Sequence, residues 1–114
     1  MNNTPLETHE TISYVNWFEL TYPGVLIHAI PNGLFISHRQ REKAVAEGLR
    51  KGPSDLHVPR WHLYVEMKRQ KGGAWSNEQK EYKKEVELSG GVYLLCKGFA
   101  EAKKETIKFA KTLL

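Results

Sequence analysis

An α/β domain, a small mixed sheet covered by helices, is the architecture this 114-residue chain encodes. Three stretches point to it. Residues 61–68 alternate strictly, with Trp61, Leu63, Val65 and Met67 on one side and His62, Tyr64, Glu66 and Lys68 on the other, the period of a strand. Ser76-Asn77-Glu78-Gln79 is a helix start in which serine and the third-turn glutamine cap each other's backbone. Val92-Tyr93-Leu94-Leu95-Cys96 is an apolar run of strand length that Gly98 separates from a last helix. Strands alternating with helices in this way give an α/β layering.

Taken in order, Thr4-Pro5-Leu6-Glu7 reads as a helix start: threonine at the cap, proline at the first helical position, glutamate three residues on. Ile12, Tyr14, Val15, Trp17 and Phe18 give that helix a broad apolar face, and Tyr22-Pro23-Gly24 stops it. Residues 25–30 read as a buried strand, and Pro31-Asn32-Gly33 as a turn with Gly33 at positive φ. Residues 39–50 read as a weakly amphipathic helix ended by Gly48, with Gly52-Pro53 a turn beyond it. Leu56-His57-Val58 is a strand fragment, joined through Pro59-Arg60 to the alternating strand. The helix opened at Ser76 runs to about Leu88, where Ser89-Gly90-Gly91 ends it, and the last helix has apolar residues at Phe99, Ala102, Phe109 and Leu113. Trp17 and Trp61 read as core, and Trp75 as a loop aromatic.

The chain reads as one domain, residues 1–114, long enough for a single core without staples. A composition 40% hydrophobic and 26% charged is that of a soluble globule, and no apolar run approaches a membrane span. The single Cys96 excludes an internal disulfide and a cysteine-rich zinc site. Nothing at the N-terminus has the basic and apolar parts of a secretory signal, so the expected location is the cytoplasm. A formal net charge of +4 permits an anionic partner without requiring one.

Asp55 is the only aspartate in the chain. If the strands pair across Pro59-Arg60, Val58 faces Trp61, His57 faces His62 and Asp55 faces Tyr64, so that Asp55 and Glu66 are diagonal neighbours on one face. Lys68, two residues past Glu66, emerges on that same face. Two carboxylates and an ammonium so placed suit a hard divalent cation and the hydrolysis of a phosphodiester. An E-x-K triplet by itself is equally the mark of a solvated sheet face. His57 and His62 read as a polar pair on the sheet rather than as metal ligands.

Over nearly its whole length the sequence resembles the VRR-Nuc domain, the virus-type replication-repair branch of the PD-(D/E)XK nucleases. The pieces stand in family order: Ile30-Pro31-Asn32-Gly33; Gly48 through Gly52-Pro53-Ser54-Asp55-Leu56; His62-Leu63-Tyr64-Val65-Glu66-Met67-Lys68; Ser76-Asn77-Glu78-Gln79; and a late Gly-x-x-x-Ala at Gly98 and Ala102. The resemblance implies a restriction-endonuclease-like core with Asp55, Glu66 and Lys68 as catalytic residues. It also implies a first-helix acid helping Asp55 and Glu66 bind metal, Glu7 fitting better than Glu10, although Glu7 also suits the capping box. Gln79 is implied near the active site, though it too suits a cap. By implication the cofactor is Mg2+, with Mn2+ able to substitute, and the partner is DNA, branched or junction-like, cut by a homodimer in phage-type replication, recombination or repair. Arg39, Arg41, Arg50, Lys51, Arg69 and Lys71, the bases nearest the site in sequence, are the expected phosphate contacts. The sequence departs from the family at Ser54, where proline is usual, at Thr11, where glutamine is expected, and at Ile36, where an arginine is frequent and Arg39 or Arg41 would stand in. The competing reading is a DNA-binding module that keeps the fold without the chemistry.

Overall fold

A computed structural model describes residues 4–31 and 37–113. Its elements are α1 (Glu7–Thr21), β1 (His28–Ala29), α2 (His38–Ala46), β2 (Leu56–Val58), a 3₁₀ turn (Pro59–Trp61), β3 (Leu63–Lys68), α3 (Asn77–Leu88), β4 (Val92–Lys97) and α4 (Phe99–Lys111). The strands lie in the order β1-β2-β3-β4. The first three are antiparallel, and β4 runs parallel to β3 with α3 as the crossover between them. This is the small mixed sheet flanked by helices that the sequence implies.

Strand alternation decides which face is covered. Leu56, Val58, Leu63, Val65 and Met67 turn to one side and form the core with Tyr14 and Phe18 of α1 and Ala102 of α4. The two helices are also tied by a bond between the Tyr14 hydroxyl and Thr106 Oγ1, 2.8 Å apart and fully buried. Trp17 and Trp61 pack against this core as expected, and Trp61 stacks edge-on to Phe18 and Tyr22. Tyr64, Glu66 and Lys68 turn to the other face, where α3 lies. No described helix is long and apolar enough to cross a membrane.

Three elements differ from expectation. The first helix begins at Glu7 with Leu6 at its cap position, not at Thr4. The Arg69 guanidinium takes the Thr4 and Pro5 carbonyls, at 2.7 and 3.2 Å, and so holds this lead-in outside the helix. Residues 25–30 contribute two exposed strand residues at the sheet edge instead of a buried strand; only Ile27 of that run is buried. The β2–β3 connection takes four residues, because Pro59 opens a 3₁₀ turn that His62 closes at φ 49°, its N–H donating to the Pro59 carbonyl. The register is therefore Val58 with Leu63 and His57 with Tyr64, two residues from the expected pairing. A slip of two keeps every side chain on its face. The turn expected at Asn32 and Gly33 lies outside the described residues.

Candidate active site

The corrected register sharpens the site. With Leu56 opposite Val65, the next pair along is Asp55 and Glu66, directly across from each other instead of diagonal. Asp55 is pinned at three atoms. Its N–H donates to Glu66 Oε2 at 3.0 Å, its carbonyl accepts the Ile30 N–H at 2.8 Å, and its Oδ2 accepts the Met67 N–H at 2.8 Å. The chain reaches Asp55 through Gly52, whose φ of 103° favours glycine and whose Cα faces the Glu78 carbonyl so closely that a Cβ would lie 2.5 Å from its oxygen. Ser54, in the place of the family's proline, is buried and donates its hydroxyl to the Leu56 carbonyl.

Glu66 is 5% exposed. Its Oε1 accepts a 2.8 Å bond from Gln79 Nε2, and the Lys68 ammonium lies 3.8 Å from the same oxygen. Gln79 makes two sets of contacts at once. Its Oε1 accepts the Ser76 N–H while its N–H donates to Ser76 Oγ, completing the α3 capping box, and its amide nitrogen is left to hold Glu66. One side chain thereby fixes the start of α3 against the middle of β3.

Glu7 and Glu10, one turn apart on α1, part company. Glu10 is buried and committed elsewhere: its carboxylate accepts Gln70 Nε2 and the Phe99 N–H, and so caps α4 at Gly98, which has no side chain to do it. Glu7 stands within electrostatic reach of Asp55, Glu66 and Lys68. It is the first helical residue and not the third, the position a capping box requires.

The electrostatics follow from this crowding. Burial first, then the Asp55 charge, push the Glu66 carboxyl up from 4.5 to about 8, against the pull of Lys68. Burial raises Asp55, partly offset by the Met67 N–H and Lys68. Burial and Asp55 together raise Glu7. Three acids that resist ionising together, with one lysine among them, have the oxygen chemistry of a hard-cation site. Among the described residues no group of three or more His, Cys, Asp or Glu side chains is placed to hold a metal ion. Both Glu66 oxygens and Asp55 Oδ2 are directed at protein donors. The donor types fit a divalent cation, and each of these oxygens retains a second lone pair.

Beside the carboxylates opens a cleft of about 450 Å³, lined by Arg41, Arg50, Lys51, Asp55, Glu66 and Gln79 among others. Around the end of β3 a second hollow brings Glu7, Lys68, Arg69 and Lys71 together at Gly72 and Gly73. Among solved structures, a VRR_NUC domain protein matches the overall fold with a TM-score of 0.77 over 96% of this chain and 92% of its own, at 18% sequence identity. The chain has the VRR-Nuc fold. No family model and no curated protein matches the sequence, so the likeness is one of architecture.

Within the VRR-Nuc fold the expected phosphate contacts divide. Arg41, Arg50 and Lys51 border the carboxylate cleft. Arg50 spends Nη1 on the Val45 and Leu49 carbonyls at the end of α2. Arg69 and Lys71 border the second hollow, Arg69 with its guanidinium committed to the N-terminal lead-in. Arg39 is exposed on α2 and lines neither. His57 stacks on Tyr64 at 4.3 Å and meets His28 edge-on, so the expected pairing with His62 is replaced.

One neighbour of the site is not evident from sequence. Tyr93 is 5% exposed, and its hydroxyl finds no hydrogen-bond partner among the described residues. Burial, then the charges of Glu66 and Asp55, push its pKa above the ordinary tyrosine range. Its position follows from the parallel register, which sets Tyr93 beside Tyr64 and Leu95 beside Glu66. Trp75 lies in a loop, as expected, and packs against Tyr93 with ring centres 6.0 Å apart.

Proposed function

We propose that this protein is a divalent-metal-dependent, structure-specific DNA endonuclease that hydrolyses phosphodiester bonds in branched DNA of the four-way-junction type. The observation that carries the reading is that Asp55 and Glu66 border a cleft whose other wall is basic, with the Lys68 ammonium 3.8 Å from Glu66 and Glu7 within electrostatic reach.

Glu7, Asp55 and Glu66 are the residues that would hold the cation, Mg2+ or Mn2+ in its place; when bound, such an ion lowers the pKa of water and polarises a phosphate oxygen. Lys68 would supply a positive charge where negative charge grows on the phosphate, and its N–H groups would orient the attacking water. Gln79 keeps the Glu66 carboxylate in one orientation. Arg41, Arg50 and Lys51 seat the phosphates that flank the scissile bond. A homodimer would match the two symmetric cleavage points of a junction, and the reaction belongs in the cytoplasm, the host's if the protein is viral, in replication, recombination or repair.

The second reading, a DNA-binding module without catalysis, draws on the inward-turned carboxylate oxygens. A labelled four-way junction incubated with Mg2+ or Mn2+, with and without chelator, separates the two. The nuclease cuts only with the ion, and Glu66→Ala and Lys68→Ala abolish cutting while the variants keep their circular dichroism spectra. Tight binding with no cleavage under either ion would favour the binding module.

A further inference from the structure

Helix α4 carries a basic stripe that the catalytic reading does not use. Lys103, Lys104, Lys108 and Lys111 recur at helical spacing with Ile107 between them and line a shallow groove on its outer side. They point away from Ala102 and Thr106, which bury the inner side. All four are exposed, and among the described residues none forms an ion pair.

The helix's acids are elsewhere. Glu101 accepts the Lys97 N–H, and Glu105 lies close enough to the buried Cys96 to raise its pKa. In α3, by contrast, Lys80, Lys83 and Lys84 alternate with Glu78, Glu81, Glu85 and Glu87, as on a solvated surface. Lysines near a helix C-terminus complement its dipole, which accounts for Lys108 and Lys111 but not for Lys103 and Lys104 one and two turns earlier. Four like charges in a repeating row, none in an ion pair among the described residues, match a polyanion.

Placement narrows the occupant. Helix α4 packs on the Leu63, Val65 and Met67 face of the sheet, whereas Glu66 and the cleft lie on the other face with α3. A straight duplex seated in the cleft cannot also lie along the outer side of α4, because the sheet and the helix stand between. We propose that the α4 lysine stripe is a second DNA-binding surface that grips the phosphate backbone of a duplex segment other than the one being cut. This deepens the nuclease reading and rests on it for the identity of the polyanion. It makes the substrate one that presents two duplex segments to a single protein.

The test compares the full chain with a variant carrying Lys103→Gln, Lys104→Gln, Lys108→Gln and Lys111→Gln, in chelator so that no DNA is cut. Binding of a labelled duplex is followed against salt, and co-capture of a second, differently labelled duplex is scored. The wild type co-captures; the variant loses capture of the second duplex, and its total salt dependence falls by about 0.9 in log–log slope for each lysine engaged. Unchanged capture and slope would overturn the proposal. So would loss of capture together with a change of oligomeric state by light scattering, which would make the stripe a subunit contact. Selective loss of binding to phosphatidylserine vesicles with DNA binding intact would overturn it in favour of a membrane. Cleavage of a short linear substrate with Mn2+ is measured in parallel. If nothing is cut but duplex capture depends on the stripe, the nuclease reading fails and the surface stands; if cutting proceeds and capture is unaffected, the reverse holds.

Discussion

In chelator, the folded protein should lose stability as the pH rises from mildly acidic to mildly alkaline. Burial and Asp55 hold the Glu66 carboxyl at about 8 in the folded chain, against 4.5 when exposed. Between those values the folded state keeps a proton that the unfolded state has released, so raising the pH favours unfolding. The stabilisation is complete below the unfolded value and is lost as pH climbs to the folded one. Taken in full, this displacement corresponds to about 5 kcal/mol at about 1.4 kcal/mol per unit. The cleft admits water, and screening there brings the expected loss to about 2–3 kcal/mol. Asp55 and Glu7, both raised, add to the same slope. His57, lowered by burial and by its histidine neighbours, opposes it near its ordinary value, but it is only partly buried and contributes less. Urea titrations in chelator across this range measure the slope directly. On the metal-dependent reading, added Mg2+ or Mn2+ stabilises the ionised acids, so its benefit should grow with pH and flatten the curve. Stability that rises with pH in chelator, or a slope that survives Glu66→Gln undiminished, would refute the assignment of the buried proton to this carboxyl.

The two functions of Gln79 can be separated: Gln79→Glu preserves a capping-box residue but sets another carboxylate against Glu66, so helix content holds while cleavage falls by more than about tenfold; Gln79→Ala loses both and should also lower stability by about 1 kcal/mol in denaturant titration. Glu10→Gln should cost about 1 kcal/mol of stability through the α4 cap, with cleavage by the folded fraction unchanged. Glu7→Gln should leave the chelated protein at least as stable while raising the Mn2+ concentration needed for half-maximal cleavage. Tyr93→Phe removes a buried hydroxyl with no hydrogen-bond partner among the described residues and should raise stability by about 1 kcal/mol in thermal or urea unfolding; a loss of stability would show that the hydroxyl is bonded in solution.

What the sequence revealed of this site was whatever depends on local period. Glu66 and Lys68 share a face because strand side chains alternate, and Asp55 falls on that face in either register because the error in pairing was even. The size of the error came from Pro59, whose 3₁₀ turn consumes two more residues than a tight hairpin would, and nothing short of the turn geometry reveals that. The start of α1 was misplaced for a different reason. Thr4 and Pro5 carry strong helix-start preferences, but their carbonyls are claimed by Arg69, 65 and 64 residues away along the chain. Local propensity cannot register such a competitor.

Glu10 and Tyr93 show the same limit at the site itself. On α1, Glu7 and Glu10 are near neighbours, and helical spacing alone leaves either available for a metal. On the metal-dependent reading, α4 favours Glu7, since Gly98 lacks a side chain and the Phe99 N–H takes Glu10 as its acceptor. At Gly98, φ is 94° and a Cβ would lie 2.5 Å from Glu10 Oε2, so the glycine and the buried glutamate require each other. Tyr93 reaches the carboxylates only because β4 runs parallel to β3, a pairing set by the α3 crossover and invisible in either strand's own pattern. The first-helix acid near the site is thus selected by contacts from the opposite face: Glu10 is withdrawn to cap α4, which leaves Glu7 as the first-helix carboxylate within electrostatic reach of Asp55 and Glu66.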